Sequence, residues 1–203
     1  MNTLRYLNEE LASLASGVQR SLVRIVSGGN GVGAGTIWHP DGLIVTNAHV
    51  VGHGRRLQVV LPDKRVLPAR VLAHSYERDL AALYVDATQL PAIPLGKSRM
   101  LKPGDFVMAM GHPWGIANGA TGGVVIGVGR DFPELPPLAH DGVVANLRLR
   151  PGHSGGPLVD FQGHLVGVNM LMSGPEVGVA IAVDVVKEFL RQALGTPVPE
   201  NVI

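Results

Sequence analysis

At 203 residues, with 46% hydrophobic and 16% charged side chains, the chain can bury a core without covalent staples and is too apolar to be disordered. Its 17 basic and 16 acidic residues leave a formal net charge of +1, so it carries no electrostatic footprint for nucleic acid or anionic lipid. The lack of cysteine excludes a disulfide framework, thiolate metal ligands and a thiol nucleophile.

The first segment, 1–20, reads as an amphipathic helix. Leu4, Leu7, Leu11, Leu14 and Val18 recur three and four apart and share one face, with Asn2 or Thr3 as candidate caps. Such a helix either packs on its own domain or serves as an arm for homo-oligomerisation. From there on, short runs rich in Val, Leu and Ile alternate with Gly, Pro, Asn and Asp. Leu22–Val26, Gly42–Thr46, Leu80–Val85, Phe106–Met110, Val143–Leu147 and Leu165–Asn169 are examples. Many short strands with frequent turn signals predict an all-β sandwich or barrel. Segment 91–103, punctuated by Pro91, Pro94, Gly96 and Pro103, reads as a linker between strand-rich halves at 21–90 and 104–195. A helix is expected over about Val185 to Leu194, with Asp184 as N-cap and Gly195 as its stop, followed by a tail at 196–203. No run of 18 apolar residues is present, so membrane insertion is not expected. Glu9 and Glu10 interrupt the first residues where a signal peptide would be apolar, and a cytoplasmic location is the expectation.

Three short motifs carry the chemistry. In Arg150-Pro-Gly-His-Ser-Gly-Gly-Pro-Leu158, glycines on both sides of Ser154 let the backbone turn sharply, project Oγ and free N–H groups. In serine-protease geometry the amides of Gly152 and Ser154 would face the oxyanion of a tetrahedral intermediate. In Val45-Thr-Asn-Ala-His-Val-Val51, His49 directly follows a strand. In Glu77-Arg-Asp-Leu-Ala-Ala-Leu83, Asp79 leads into an apolar strand, where it could fix the imidazole tautomer of a histidine. Singly, each has an ordinary reading: a glycine-rich turn, a core histidine, a turn-forming aspartate. Together they occur in the order His, Asp, Ser, which is the chymotrypsin order, and the linker separates the first two from the third.

These motifs resemble the trypsin-like peptidases of the HtrA/Deg group. The matching text is Gly35-Thr-Ile-Trp-His-Pro-Asp-Gly-Leu-Ile-Val-Thr-Asn-Ala-His-Val-Val51, Arg78-Asp-Leu-Ala-Ala-Leu83, Leu95-Gly-Lys-Ser98, Lys102-Pro-Gly-Asp105, Ala109-Met-Gly-His-Pro-Trp-Gly115 and the Ser154 motif. Gly178-Val-Ala-Ile-Ala-Val183 is also similar, so the resemblance covers roughly residues 20–195. It implies an all-β fold of two six-stranded antiparallel β-barrels of chymotrypsin type, flanked here by the N-terminal and C-terminal helices. It also implies peptide-bond hydrolysis through an acyl-enzyme, with catalytic His49, Asp79 and Ser154 and an oxyanion hole at Gly152 and Ser154. No cofactor or metal is implied, and the partners are protein or peptide substrates, most readily unfolded ones. In that fold Leu149 and Arg148 border the S1 pocket, and Met170 and Leu171 would form its opposite wall. With no acid there, small to medium aliphatic P1 residues are expected. Two departures stand out. His153 replaces the Asn usual before the nucleophile, where it could perturb the oxyanion loop. The PDZ modules that many members carry are expected to be lacking.

Other readings of the same residues fail on context. Gly-His-Ser-Gly-Gly also fits the nucleophile elbow of α/β-hydrolases, but that fold needs the order Ser, acid, His and alternating strands and helices. His49 and His53 have zinc-helix spacing without the Glu of that motif, since Val50 stands in its place. Gly29-Asn-Gly-Val-Gly-Ala34 faintly matches a dinucleotide fingerprint but precedes a strand-like segment. A protease fold used only for binding, without turnover, is the alternative from a different class.

Overall fold

The computed structural model describes residues 3–28, 31–52 and 56–195, with residues 31, 32 and 171 described as backbone only. Helix α1 (Thr3–Gln19) opens the chain. Its second half docks: Leu11, Leu14 and Ala15 pack against the core and Val18 is buried within it. In its first half Leu4, Tyr6 and Leu7 are exposed. The repeat of leucines is therefore one face with two environments.

Six strands follow: β1 (Leu22–Ser27), β2 (Gly31–His39), β3 (Leu43–Thr46), β4 (Leu57–Val60), β5 (Val66–Ser75) and β6 (Leu80–Val85), with the one-turn helix α2 (Ala48–Val51) after β3. They close into an antiparallel barrel in the order β1-β2-β3-β6-β5-β4. A second set, β7 (Phe106–Gly111), β8 (Gly119–Val128), β9 (Gly142–Asn146), β10 (Pro157–Asp160), β11 (Leu165–Met172) and β12 (Val177–Ala182), closes in the order β10-β11-β12-β9-β8-β7. The fold is thus two closed six-stranded barrels with a helix at each end, as the sequence predicted. Closure gives every strand of each barrel two paired neighbours.

The apolar runs at β6 and β7 have a common cause. On β6, Ala81, Leu83 and Val85 fill the first barrel, while Leu80 and Ala82 face a cluster shared with the second. On β7, Val107 and Ala109 fill the second barrel, while Met108 and Met110 face the same shared cluster. A strand buried on both faces loses the polar half of its alternation. The shared cluster also takes in Trp38 and Val45 from the first barrel and Leu165 and Val168 from the second.

The connection between barrels is pinned to both. Leu90 and Ile93 donate N–H bonds to Pro40 and Ile37 of the first barrel, and Leu165 of the second donates to Pro94 at 2.7 Å. Helix α3 (Val183–Leu194) then packs Val183, Val186, Phe189 and Leu190 into the shared cluster. It begins two residues before the expected start, so Asp184 lies inside its first turn and is not the N-cap. The capping atom comes from the connection: Ser98 Oγ accepts the Asp184 N–H at 3.3 Å and donates to Asp184 Oδ2 at 2.8 Å. The carboxylate is thereby held at the positive end of the helix dipole. Gly195 ends the helix in a left-handed conformation, φ 62°, as expected.

Candidate active site

β3 ends at Thr46, and the chain turns through buried Asn47 into α2, which presents His49 from its first turn. Asp79 sits in the β5–β6 turn with φ 51°, its N–H directed to the Tyr76 carbonyl at 3.3 Å. β3 and β6 are paired neighbours, so the residue after one and the residue before the other meet at one end of the barrel. Asp79 engages His49 twice. Oδ2 lies 2.7 Å from the ring Nδ1, and Oδ1 accepts the His49 backbone N–H at 3.0 Å. The Asp79 side chain is 13% exposed and that of His49 is 50% exposed. A carboxylate holding Nδ1–H leaves Nε2 as the basic nitrogen. Asn47 secures the aspartate from behind, its Nδ2 donating to the Asp79 carbonyl at 3.0 Å.

Ser154 lies in the loop between β9 and β10. The loop is tied to both barrels: Ala34 on β2 donates its N–H to the Ser154 carbonyl at 2.9 Å, and the Gly155 N–H donates to Asn169 on β11. Gly152 has φ 102°, and a Cβ there would run into the His112 carbonyl. Only glycine fits this turn. The His153 N–H is spent on Arg150, whereas among the described residues the Gly152 and Ser154 amides have no acceptor. Two free amides flanking a bonded one match what an oxyanion hole requires. The Ser154 hydroxyl itself donates to the Met170 carbonyl at 3.3 Å.

Leu149 is buried against Cα of Gly178 on β12, and its N–H points at Met172 Sδ, 3.0 Å away. Arg148 is exposed. Met170 is buried, with its side chain in the shared cluster and its carbonyl toward Ser154. Leu171 pairs with Val179, and its side chain lies outside the described part. Met172, Asn47 and Asn169 carry no role in the sequence reading. Asn169 is fully buried and donates from Nδ2 to the carbonyls of Met110 on β7 and Pro157 on β10, bracing the start of the strand that follows the Ser154 loop. Their partners are backbone atoms remote in sequence, which local spacing does not reveal. Among the described residues no three His, Asp or Glu side chains gather as a metal site, and His53 lies outside them.

Residues 33–168, which include His49, Asp79 and Ser154, match the family described as the trypsin-like peptidase domain. The chain belongs to the trypsin-like peptidases, in their HtrA group. It is 39% identical over 169 residues to "Probable periplasmic serine endoprotease DegP-like" of Hahella chejuensis, covering 81% of this chain and 36% of that protein. It is 37% identical over 163 residues to "Serine protease HTRA2, mitochondrial" of Bos taurus, covering 79% and 36%. It therefore spans little more than a third of the length of these relatives. Among solved structures, a serine endoprotease from Yersinia pestis superposes with TM-score 0.82 at 26% identity, over 91% of this chain and 66% of that one. The HtrA-type protease AlgW with a decapeptide gives the same score and identity, over 91% and 67%.

Proposed function

We propose that this chain is a serine endopeptidase that cleaves unfolded protein or peptide chains, in protein quality control or regulated proteolysis. The observation that carries the reading is the two-point hold of Asp79 on His49, which fixes both ring position and tautomer. Ser154 Oγ leaves the Met170 carbonyl, gives its proton to His49 Nε2 and attacks the scissile carbonyl carbon. The Gly152 and Ser154 amides take the oxyanion. As the C–N bond breaks, His49 returns the proton to the leaving amine, and a water molecule then releases the acyl group by the same steps. The buried, apolar Leu149 supports cleavage after small to medium aliphatic residues. The family membership of the chain supports the reading throughout.

A fluorophosphonate probe tests it directly. The native chain is expected to label and to cleave casein, and Ser154→Ala to do neither. A folded native chain that neither labels nor cleaves would point instead to a protease fold used for binding.

A further inference from the structure

Two buried histidines lie beneath the Ser154 loop, and the mechanism above uses neither. His153 is 1% exposed and His112, just after β7, is 5% exposed. The segment holding His112 forms the floor of the loop. The His112 N–H donates to the Gly152 carbonyl at 2.8 Å, and the Trp114 N–H donates to the Pro151 carbonyl at 2.9 Å. Gly111 lies so close that a Cβ there would meet the Gly152 carbonyl and the His153 Cα.

Neither ring is placed to satisfy both N–H groups of its charged form. His153 Nδ1 lies 3.1 Å from the Arg150 N–H and 3.2 Å from the Arg150 carbonyl, so a neutral ring accepts from one or donates to the other. His112 Nδ1 accepts the Asn118 N–H at 3.4 Å. Both Nε2 atoms are buried without a partner. Protonation makes every ring nitrogen a donor. It ends the acceptor bond at His112 and leaves a charged N–H unmet at His153.

Compensation is partial: the Val23 carbonyl beside His112 and the Arg150 carbonyl beside His153 favour the charged rings, but less than burial opposes them. Arg150 of the same loop acts on His153, Arg24 of β1 and His153 act on His112, and Arg20 and Lys64 share a surface pocket with His112. Ala34, Thr46, Met110, Pro113 and Asn169, which pack around the loop, are uncharged. Among the described residues neither ring has a carboxylate partner. Burial is the largest cause and holds both rings below the ordinary histidine range against those carbonyls; the Arg150 charge adds to the lowering at His153, and Arg24 and His153 add to it at His112.

We propose that neutral His153, seated against His112, is the positioning residue of the oxyanion loop, and that protonation of this pair in mild acid releases the loop together with the Gly152 and Ser154 amides. The direction follows from linkage. Above about pH 6.5 both the seated and the released loop are neutral, and pH has no effect. Below it the released loop takes up protons first. The seated loop loses ground until the pH reaches the depressed values of the buried rings.

The consequence for activity rests on the reading of Ser154 as nucleophile, but the loop movement does not. The test therefore has two arms between about pH 8 and pH 5. In the first, kcat/KM for a peptide is measured for the native chain, His153→Asn and His112→Asn, each relative to its own value at neutral pH. The native acid limb is expected to be steeper than one proton, with a loss about tenfold or more beyond that of His153→Asn. In the second, tryptophan fluorescence is followed in the inactive Ser154→Ala protein. Trp114 is the reporter, because it is exposed and lies 5.0 Å beneath the Arg150 guanidinium. Its signal is expected to shift over the same range, less so with His153→Asn added, and not at all in Trp114→Phe. Superimposable normalised profiles for all three chains, or a Trp114 signal flat to pH 5, overturn the proposal. A native chain that never cleaves defeats the catalytic reading alone and leaves the fluorescence arm to decide. His112→Asn carries the comparison should His153→Asn fail to fold.

Discussion

Asp79 reaches both the ring and the backbone of His49, and so sets the tautomer as well as the place of the imidazole. Asp79→Asn keeps the shape but offers an amide N–H or carbonyl where Nδ1–H needs a carboxylate. The expected outcome is a fall of roughly 10⁴ in kcat with the fold retained, checked by peptide hydrolysis beside circular dichroism. His49, Asp79 and Ser154 were legible as candidates because each sits in a distinctive local motif and their order along the chain matches a known pattern. Asn47 and Asn169 lie beside or near such motifs, yet their work is to hold carbonyls 32 and 59 residues away. No spacing rule reports a bond of that kind. His153 was legible as a departure, but the burial that gives it meaning, and its companion His112, were not.

Helix α3 shows how an element can be expected correctly and capped unexpectedly. The helix and its glycine stop follow from local pattern, whereas its N-terminal cap, Ser98 Oγ, arrives from the inter-barrel connection 86 residues earlier. Ser98→Ala removes that acceptor and the hydroxyl bond to the Asp184 carboxylate, leaving the Arg99 N–H on Oδ2. It is expected to cost about 1 kcal/mol of stability, measured by urea unfolding, while Asp184→Asn costs less because the Ser98–helix bond survives. Helix α1 divides at its middle into a docked half and an exposed apolar half. We propose that Leu4, Tyr6 and Leu7 join copies of the chain. Removing residues 1–9 is then expected to lower the mass seen by light scattering while leaving the barrels folded; an unchanged mass would refute the role.

Across the whole molecule, one apolar cluster draws residues from both barrels and from both terminal helices. The barrels are therefore not independent in energy. Leu165→Ala, at a fully buried position in that cluster, is expected to cost about 2–5 kcal/mol. It should lower the urea midpoint of both barrels together, seen as coincident transitions by far-ultraviolet circular dichroism and by Trp38 fluorescence. Two separated transitions would show that the barrels unfold apart.

The sequence by itself determined the all-β class, the two terminal helices, the aliphatic core and the identity of the three candidate catalytic side chains. These depend on short-range periodicity, turn chemistry and motif order, which the chain carries locally. Only the tertiary structure decided what those residues meet: the double hold of Asp79 on His49, the free amides at Gly152 and Ser154, the remote cap on α3 and the buried histidine pair. Those contacts arise from barrel closure and from packing one barrel on the other, and closure joins residues whose separation in sequence says nothing of their separation in space.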